Sequence, residues 1–154
     1  MQPPPRKIQV SIARQELQLL EGEQVVAAYP VSTSKFGLGT EPGSYKTPLG
    51  RFRVAERHGE GAPLGTIFKS RQPVGLWNPG DVTEDDYVLT RILWLEGLEE
   101  HNANTKDRYI YIHGTNQEEQ IGQPASIGCV RMKNADVAAL YDLVPEGVEV
   151  EIVA

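Results

Sequence analysis

Cysteine is almost absent from this chain of 154 residues, because Cys129 is its single example. One thiol cannot form an internal disulfide, and without a Cys-x-x-Cys pair the chain cannot perform dithiol redox chemistry. The three histidines and this cysteine also lack the regular spacing of zinc ligands. We therefore expect no metal and no other cofactor, and a lone thiol is compatible with a reducing compartment.

Long hydrophobic runs are absent too. No window approaches the roughly 18 apolar residues of a transmembrane helix. The segment that begins with residues 1–7 continues into alternating sequence, whereas a secretory signal needs a continuous apolar stretch after its positive end. The sequence as given therefore predicts a cytoplasmic protein, or a periplasmic one if a signal segment has been lost.

Positive charge is scarce, since 15 Lys and Arg residues face 21 Asp and Glu residues, for a net charge of -6. Such a protein is repelled by phosphate backbones and anionic lipids, which argues against nucleic-acid and membrane partners. Fifteen glycines and eleven prolines indicate many turns and favour a β-rich fold over a helical bundle. The length suits a single domain over residues 1–154 with a real core.

Alternation of apolar and polar residues marks a series of β-strands. The chain between them is rich in Gly, Pro, Ser and Thr at 32–50 and 57–86, and we expect these two segments to be loops that wall a groove. In the strand that ends at His113, Tyr109 and Tyr111 share one face with the histidine. The predicted strands are 7–12, 16–19, 24–31, 51–54, 88–95, 108–113 and 148–152.

One helix is predicted over 135–144, with Asn134 as its N-cap. Its apolar residues, at i, i+3, i+4 and i+7, form one stripe, and a proline and a glycine end it. The predicted fold class is therefore mainly β, a mixed sheet or β-sandwich with one short C-terminal helix. The stripe consists of Val137, Leu140, Tyr141 and Val144.

A histidine and the single cysteine lie 16 residues apart in one compact pattern. A thiol attacks a carbonyl carbon as thiolate, and a nearby imidazole is the usual base that makes it one. The pattern therefore predicts a cysteine enzyme that transfers acyl groups. It reads His113-Gly114-Thr115 and, after a loop, Ser126-Ile127-Gly128-Cys129-Val130-Arg131-Met132.

The neighbours of this pair suggest further roles. Gly128 removes a Cβ and lets the amides around Cys129 point at a developing oxyanion. The carbonyl of Gly114 can orient the imidazole through Nδ1–H, and Arg131 can either hold a substrate carboxylate or brace the loop.

Each residue also has a plainer interpretation. A lone cysteine is often a small buried hydrophobe, and Arg131 alone is typical of a structural role. Tyr109 and Tyr111 suit packing or a pocket wall, and Trp77 suits either a satellite core or a substrate surface.

Taken together, these residues resemble the signature of L,D-transpeptidase catalytic domains of the YkuD type. The resemblance extends over nearly the whole chain. The segment 30–34, followed by Lys46-Thr47-Pro48-Leu49-Gly50-Arg51-Phe52, resembles the strand-loop-strand before that family's active site, and 134–152 resembles its closing helix and strand. In layout the chain is most similar to short members without a signal, which act as L,D-carboxypeptidases.

The resemblance implies that Cys129 is the nucleophile and that His113 is its base, oriented by the carbonyl of Gly114. The amides of Gly128 and Cys129 are then the oxyanion hole. One departure is that the family usually has a histidine at the position of Ile127, which affects the rim of the pocket. We expect the substrate-binding residues to be Thr115, Ser126, Ile127, Arg131 and Trp77.

The implied substrate is a peptidoglycan stem peptide or muropeptide, cleaved between diaminopimelate and D-Ala through a Cys129 thioester. Water as acceptor gives a tripeptide in murein recycling, which is the function we expect. An amine acceptor would instead give 3-3 cross-links or exchange D-amino acids. A carbapenem is the implied covalent inhibitor. A non-catalytic peptide-binding module and an ordinary cysteine peptidase stay open as alternatives.

Overall fold

The computed structural model describes residues 5–81, 83 and 85–154, and these form ten β-strands, one α-helix and three short 3-10 turns. In chain order the elements are β1 (Arg6–Ser11), β2 (Glu16–Glu21), β3 (Gln24–Ser32), β4 (Gly50–His58), β5 (Thr66–Lys69), β6 (Gln72–Leu76), β7 (Val88–Gly97), β8 (Tyr111–Gly114), β9 (Val130–Met132), α1 (Asn134–Leu143) and β10 (Glu149–Val153).

Eight of these strands close into a ring, because β4 pairs with both β10 and β7. Around the ring the order is β4-β10-β1-β2-β3-β9-β8-β7, and the β5–β6 hairpin extends from β7. The β1–β10 and β8–β9 pairs are parallel and the others are antiparallel. The predicted fold class, a mainly β mixed sheet with one short helix near the C-terminus, is confirmed.

The main core fills the space between the strands and the helix. In β1 and β2 the alternating residues Ile8, Val10, Leu17 and Leu19 are fully buried, as the period of a strand requires. The helix packs on β7 and β8 and adds part of its apolar stripe to the same cluster. Among the described residues, no helix is long and apolar enough to cross a membrane. The helical residues in this core are Val137, Leu140 and Tyr141.

A second, smaller cluster covers the other face of β7 and β8. Leu93 and Ile112 pair and face the main core, so their neighbours in each strand face the opposite way. The pairs Ile92–His113 and Trp94–Tyr111 lie on this second face. The side chain of His113, the predicted base, therefore lies on this second face. The cluster contains Phe68, Ile92, Trp94 and Tyr111, with Cys129 packed against it.

The prediction that 57–86 is mostly loop misses a hairpin, which β5 and β6 form within that segment. Its two turn residues, Ser70 and Arg71, have φ values of 47° and 66°. Positive φ at both central positions is typical of a type I′ turn, whose usual signal is Asn-Gly. Pro73 lies in β6, which is an edge strand, and an edge is where a sheet tolerates proline.

The prediction that a strand begins at residue 108 is also wrong. A 3-10 turn covers Lys106–Arg108, and Tyr109 follows with a left-handed φ of 56°. Since β8 begins at Tyr111, Tyr109 does not share a strand face with His113. The side chain of Arg108 holds this turn by donating to the carbonyls of Gly39 and Lys46.

Asn134 is the first residue of α1 and not its N-cap. Its side chain is occupied elsewhere, since Oδ1 accepts from the Thr90 hydroxyl and Nδ2 donates to the carbonyl of Thr115. The N-terminus of the helix is capped instead by Glu118, because its Oε2 accepts a hydrogen bond from the Asn134 amide at 2.7 Å. A carboxylate at this end also favours the helix dipole.

Gly114 is a point of close approach between β8, β7 and α1. A Cβ built there would lie 2.3 Å from Asn134 Oδ1 and 2.7 Å from the carbonyl oxygen of Leu89. We expect Gly114→Ala to lower the free energy of unfolding by about 2 kcal/mol, because the packed backbone must shift. Urea denaturation measures this. Gly75→Ala is the matched control, since its Cβ would meet Ile67 at 3.7 Å; equal losses in both variants would contradict the argument.

Candidate active site

The parallel pairing of β8 and β9 brings the predicted nucleophile and base to one face of the sheet. His113 pairs with Arg131, and Cys129 lies two residues before Arg131 at the entrance to β9. Because side chains alternate along extended chain, all three project toward the second cluster. Within the described residues, no hydrogen bond joins the thiol to the imidazole, so the two groups share a face without being engaged.

The thiol is held by the backbone just before β8. The Tyr111 amide donates to Cys129 Sγ at 3.3 Å, and the thiol donates to the Tyr109 carbonyl at 3.4 Å. Cys129 as a residue is half-buried and packs against the second cluster. An amide that points at the sulfur stabilises a thiolate when one forms.

The imidazole is oriented as predicted from the sequence. His113 Nδ1 lies 2.5 Å from the carbonyl oxygen of Gly114, and since a carbonyl accepts, Nδ1 carries the proton. Nε2 is then the acceptor nitrogen. The residue as a whole is buried, which fixes the ring in this orientation.

Both groups are neutral in the resting protein. Burial raises the pKa of the Cys129 thiol to about 11, against the opposing effects of the Tyr111 amide and the guanidinium groups of Arg131 and Arg108. Burial also lowers the pKa of His113, although the Gly114 carbonyl opposes this. A neutral imidazole can accept a proton from a neutral thiol, so the arrangement is a thiol and a base before proton transfer.

The turn that carries Cys129 is fixed by hydrogen bonds. Gly128 has a φ of +127°, which favours glycine, and its carbonyl accepts from Thr47 Oγ1 at 3.0 Å. Its amide donates to Ser126 Oγ, and that hydroxyl donates to the carbonyl of Cys129 at 2.7 Å. The amide of Cys129 has no partner within the described residues. Of the two predicted oxyanion donors, the Cys129 amide is therefore the one that is available.

The loop 32–50 braces this turn from one side. The amide of Lys35 donates to the carbonyl of Ser126, and the amide of Ser34 donates to Thr47 Oγ1. The predicted position of this loop beside the thiol agrees with these contacts. The second predicted wall, 57–86, contributes the tip of the β5–β6 hairpin, where Arg71 donates to the Tyr111 hydroxyl at 3.1 Å.

Three residues expected to bind substrate are buried in the scaffold. Arg131 is 3% exposed and forms an ion pair with Asp86 at 2.5 Å, while Nη1 donates to the side-chain carbonyls of two glutamines. Thr115 is fully buried and Ser126 is 1% exposed. Their hydrogen bonds fit a bracing role, which for Arg131 is the alternative already considered, and their contact with substrate stays a prediction. The glutamines are Gln117 and Gln120.

Two other expected substrate contacts lie apart from each other. The side chain of Ile127 is 49% exposed on the turn beside the thiol. Trp77 is half-buried and lines a depression with Leu64, Pro79 and Ala135 near the start of α1. The lining of this depression includes neither the thiol nor the imidazole, so Trp77 is not a neighbour of the predicted nucleophile.

Several residues at the site carry no signal in the sequence. Trp94 stacks on Tyr109 with 5.7 Å between ring centroids and meets Tyr111 edge-on at the same distance. Arg71 and Arg108 come from distant segments, and neither belongs to a motif. Among the described residues, no three His, Cys, Asp or Glu side chains lie close enough together to hold a metal ion.

Comparison with known proteins relates this site to one family. The model of the YkuD L,D-transpeptidase catalytic domain matches residues 5–152. A curated protein of Bacillus licheniformis, named "Putative L,D-transpeptidase YkuD", is 29% identical over 149 residues, which cover 96% of this chain and 66% of the relative. The chain thus spans just under two thirds of that relative's length.

Solved structures share the fold. The L,D-transpeptidase of Xylanimonas cellulosilytica superposes with a TM-score of 0.63 at 21% identity, over 99% of this chain and 62% of that one. LD transpeptidase LdtMt1 in complex with imipenem gives a TM-score of 0.61 at 18% identity, over 96% of this chain and 58% of that one. At these identities the likeness establishes the architecture of the ring of strands.

The raised pKa of Cys129 predicts the pH dependence of its alkylation. With a pKa of about 11, only on the order of one thiol in ten thousand is ionised at neutral pH. We expect the rate of iodoacetamide labelling of the free protein to keep rising through pH 9 and 10. Cys129→Ser provides the blank. A rate that levels off near pH 7 would show that the resting site already holds a thiolate.

Proposed function

The chain belongs to the YkuD family of L,D-transpeptidase catalytic domains, and from this we propose that it transfers acyl groups of peptidoglycan stem peptides through Cys129. The observation that carries the proposal is the β8–β9 pairing. It brings the Cys129 thiol and the imidazole of His113 to one face of the sheet, and Nε2 of that imidazole has no hydrogen-bond partner among the residues that the structure describes. Nucleophile and oriented base are the two groups that covalent acyl transfer requires.

The first half-reaction forms a thioester. As Cys129 Sγ attacks the carbonyl of the L-centre of diaminopimelate, His113 Nε2 takes the thiol proton. The Cys129 amide is the donor best placed for the oxyanion. When the tetrahedral intermediate collapses, the C–N bond breaks and His113 returns the proton to the amine of the leaving D-Ala. Catalytic hydrogen bonds often tighten only with substrate bound, which suits the unengaged resting pair.

We propose that water is the acceptor in the second half-reaction. His113 then removes a proton from water, the oxygen attacks the thioester, and the tripeptide leaves as the thiol forms again. The support is Ile127, an exposed hydrocarbon side chain where the family usually has a histidine. It offers no hydrogen bond to an incoming amine, whereas water needs only the base. The cytoplasmic location stays a prediction.

Digestion of a disaccharide tetrapeptide tests both halves of the proposal. We expect tripeptide and free D-Ala, with and without an added amine acceptor, and a loss of at least about a thousandfold in rate for Cys129→Ala. Mass spectrometry of the products measures this.

The alternatives give different products in the same assay. Cross-linked dimer or amine adduct in excess of tripeptide would identify a transpeptidase. Trimming that survives in Cys129→Ala would contradict the mechanism. Binding without turnover would identify a non-catalytic module, and hydrolysis of all-L peptides would indicate an ordinary cysteine peptidase.

A carbapenem should acylate the same sulfur. LdtMt1 has been solved in complex with imipenem, and we propose that this chain binds the drug covalently at Cys129. Attack on the β-lactam carbonyl opens the ring and loses no atoms, so the protein should gain the full mass of the drug. Intact-mass spectrometry measures the adduct, with Cys129→Ser as the control. An unmodified wild-type protein after long incubation would show that the site does not accept this carbonyl.

A further inference from the structure

A cationic and aromatic shelf lies beside the thiol. It consists of Arg71, Trp94, Lys106 and Tyr109, which line a shallow depression together with Asp107. The guanidinium of Arg71 lies 4.5 Å from the centroid of the Trp94 ring, and the ammonium of Lys106 lies 4.8 Å from it. Two cations therefore flank one aromatic surface, an arrangement that can receive an anion with an attached hydrocarbon chain.

The shelf is joined to the thiol by two tyrosines. Tyr109 forms part of the shelf, and its carbonyl accepts from Cys129 Sγ. Tyr111 donates its amide to the same sulfur, and its hydroxyl accepts from Arg71 Nη1. The two residues whose backbone contacts the sulfur therefore also contribute a side chain to the shelf or a hydrogen bond to Arg71, which places the shelf next to the thiol.

The charges of the shelf leave Arg71 available. Lys106 Nζ forms an ion pair with Glu56 at 2.9 Å, which satisfies much of its charge. Arg71 has no carboxylate within 4.0 Å among the described residues; its one hydrogen-bond partner there is the hydroxyl of Tyr111. Asp107 is the acidic member of the lining and Glu56 offsets Lys106, so Arg71 is the cation of the shelf that has no ion-pair partner among the described residues.

The hairpin presents Arg71 in a fixed position. It is the second residue of the β5–β6 turn, and Lys69 and Gln72 on either side are paired. The guanidinium lies over the Trp94 ring and donates one hydrogen bond, to the Tyr111 hydroxyl, among the described residues. A guanidinium has five N–H donors, so this contact leaves donors for a carboxylate. A pre-positioned fork loses less side-chain freedom on binding than a mobile lysine would.

We propose that Arg71 is a specificity-determining residue that binds a carboxylate of the stem peptide, which rests on the proposed function. Apart from the terminal carboxylate of D-Ala, which departs with the cleaved residue, a tetrapeptide stem carries a free carboxylate on its second residue and another at the side-chain end of diaminopimelate. Both present the same chemistry to a guanidinium, and in either case conversion to an amide removes the charge. The protein should therefore discriminate between carboxylate and amidated stems.

The competing explanation is that Arg71 only holds Trp94 and Tyr111 in place. A purely structural arginine would affect all stem peptides equally. A carboxylate receptor would affect only those peptides that carry its carboxylate. Comparison of matched peptides separates the two roles.

The test is calorimetric titration of the full chain carrying Cys129→Ala, so that binding is measured without turnover. The three ligands are the tetrapeptide, its amide at the second residue, and its amide at the diaminopimelate side chain. We expect one amide to raise the Kd on the order of tenfold, and Arg71→Gln to raise the Kd of the tetrapeptide by the same factor. In the Arg71→Gln background that amide should have no further effect. The amide that responds identifies the carboxylate.

Lys69→Gln is the matched control, since it removes a cation from the same hairpin outside the shelf. It should leave all three Kd values unchanged. Equal Kd values for the three peptides, an equal weakening of all three by Arg71→Gln, or no binding of any would overturn the proposal. Turnover by the protein with its native Cys129 is scored separately, so that loss of discrimination with intact cleavage refutes the role of Arg71 and spares the enzyme.

Discussion

The parallel pairing of β8 with β9 is the constraint on which the rest of the site depends. It sets His113 beside Arg131 and therefore fixes Cys129 on the same face. Adjacent parallel strands need a crossover, and here residues 115–129 supply it. The same crossover carries the groups that hold the pairing in place, because Ser126 and Gly128 shape the turn before Cys129. The register of β8 and β9 therefore determines where Cys129 and His113 lie relative to each other.

Burial is the second constraint, and it acts on both members of the pair. It raises the pKa of Cys129 and lowers that of His113, so neither is charged at rest. The Tyr111 amide and the guanidinium groups of Arg131 and Arg108 favour a thiolate, whereas the nearby carboxylate of Asp86 opposes it. Arg131 forms its ion pair with Asp86, so its guanidinium is not paired with the sulfur of Cys129.

The motif alone predicted that the Gly114 carbonyl contacts the imidazole and that Cys129 and His113 meet, because these features are local or follow from strand alternation. Their roles as nucleophile and base stay predictions. The burial of Thr115 and Ser126 was not predictable, since polar residues in a glycine-rich motif suit a rim and a brace equally well. The strand alternation also failed at Tyr109, where a left-handed backbone interrupts the pattern. The carbonyl of that same residue accepts from the thiol.

The shelf was beyond prediction for a different reason. Arg71, Trp94 and Tyr109 come from three segments, and their contact requires the hairpin to fold back over the second face of the sheet. The turn at Ser70 and Arg71 contains neither glycine nor asparagine, the usual signals of such a turn. The sequence therefore gives no indication of the hairpin that positions the guanidinium of Arg71. The residues next to the thiol belong to one contiguous motif, whereas the residues of the shelf are brought together by tertiary packing. Under the proposed role of Arg71, the choice of stem peptide therefore depends on the hairpin tip and not on the motif that carries the thiol.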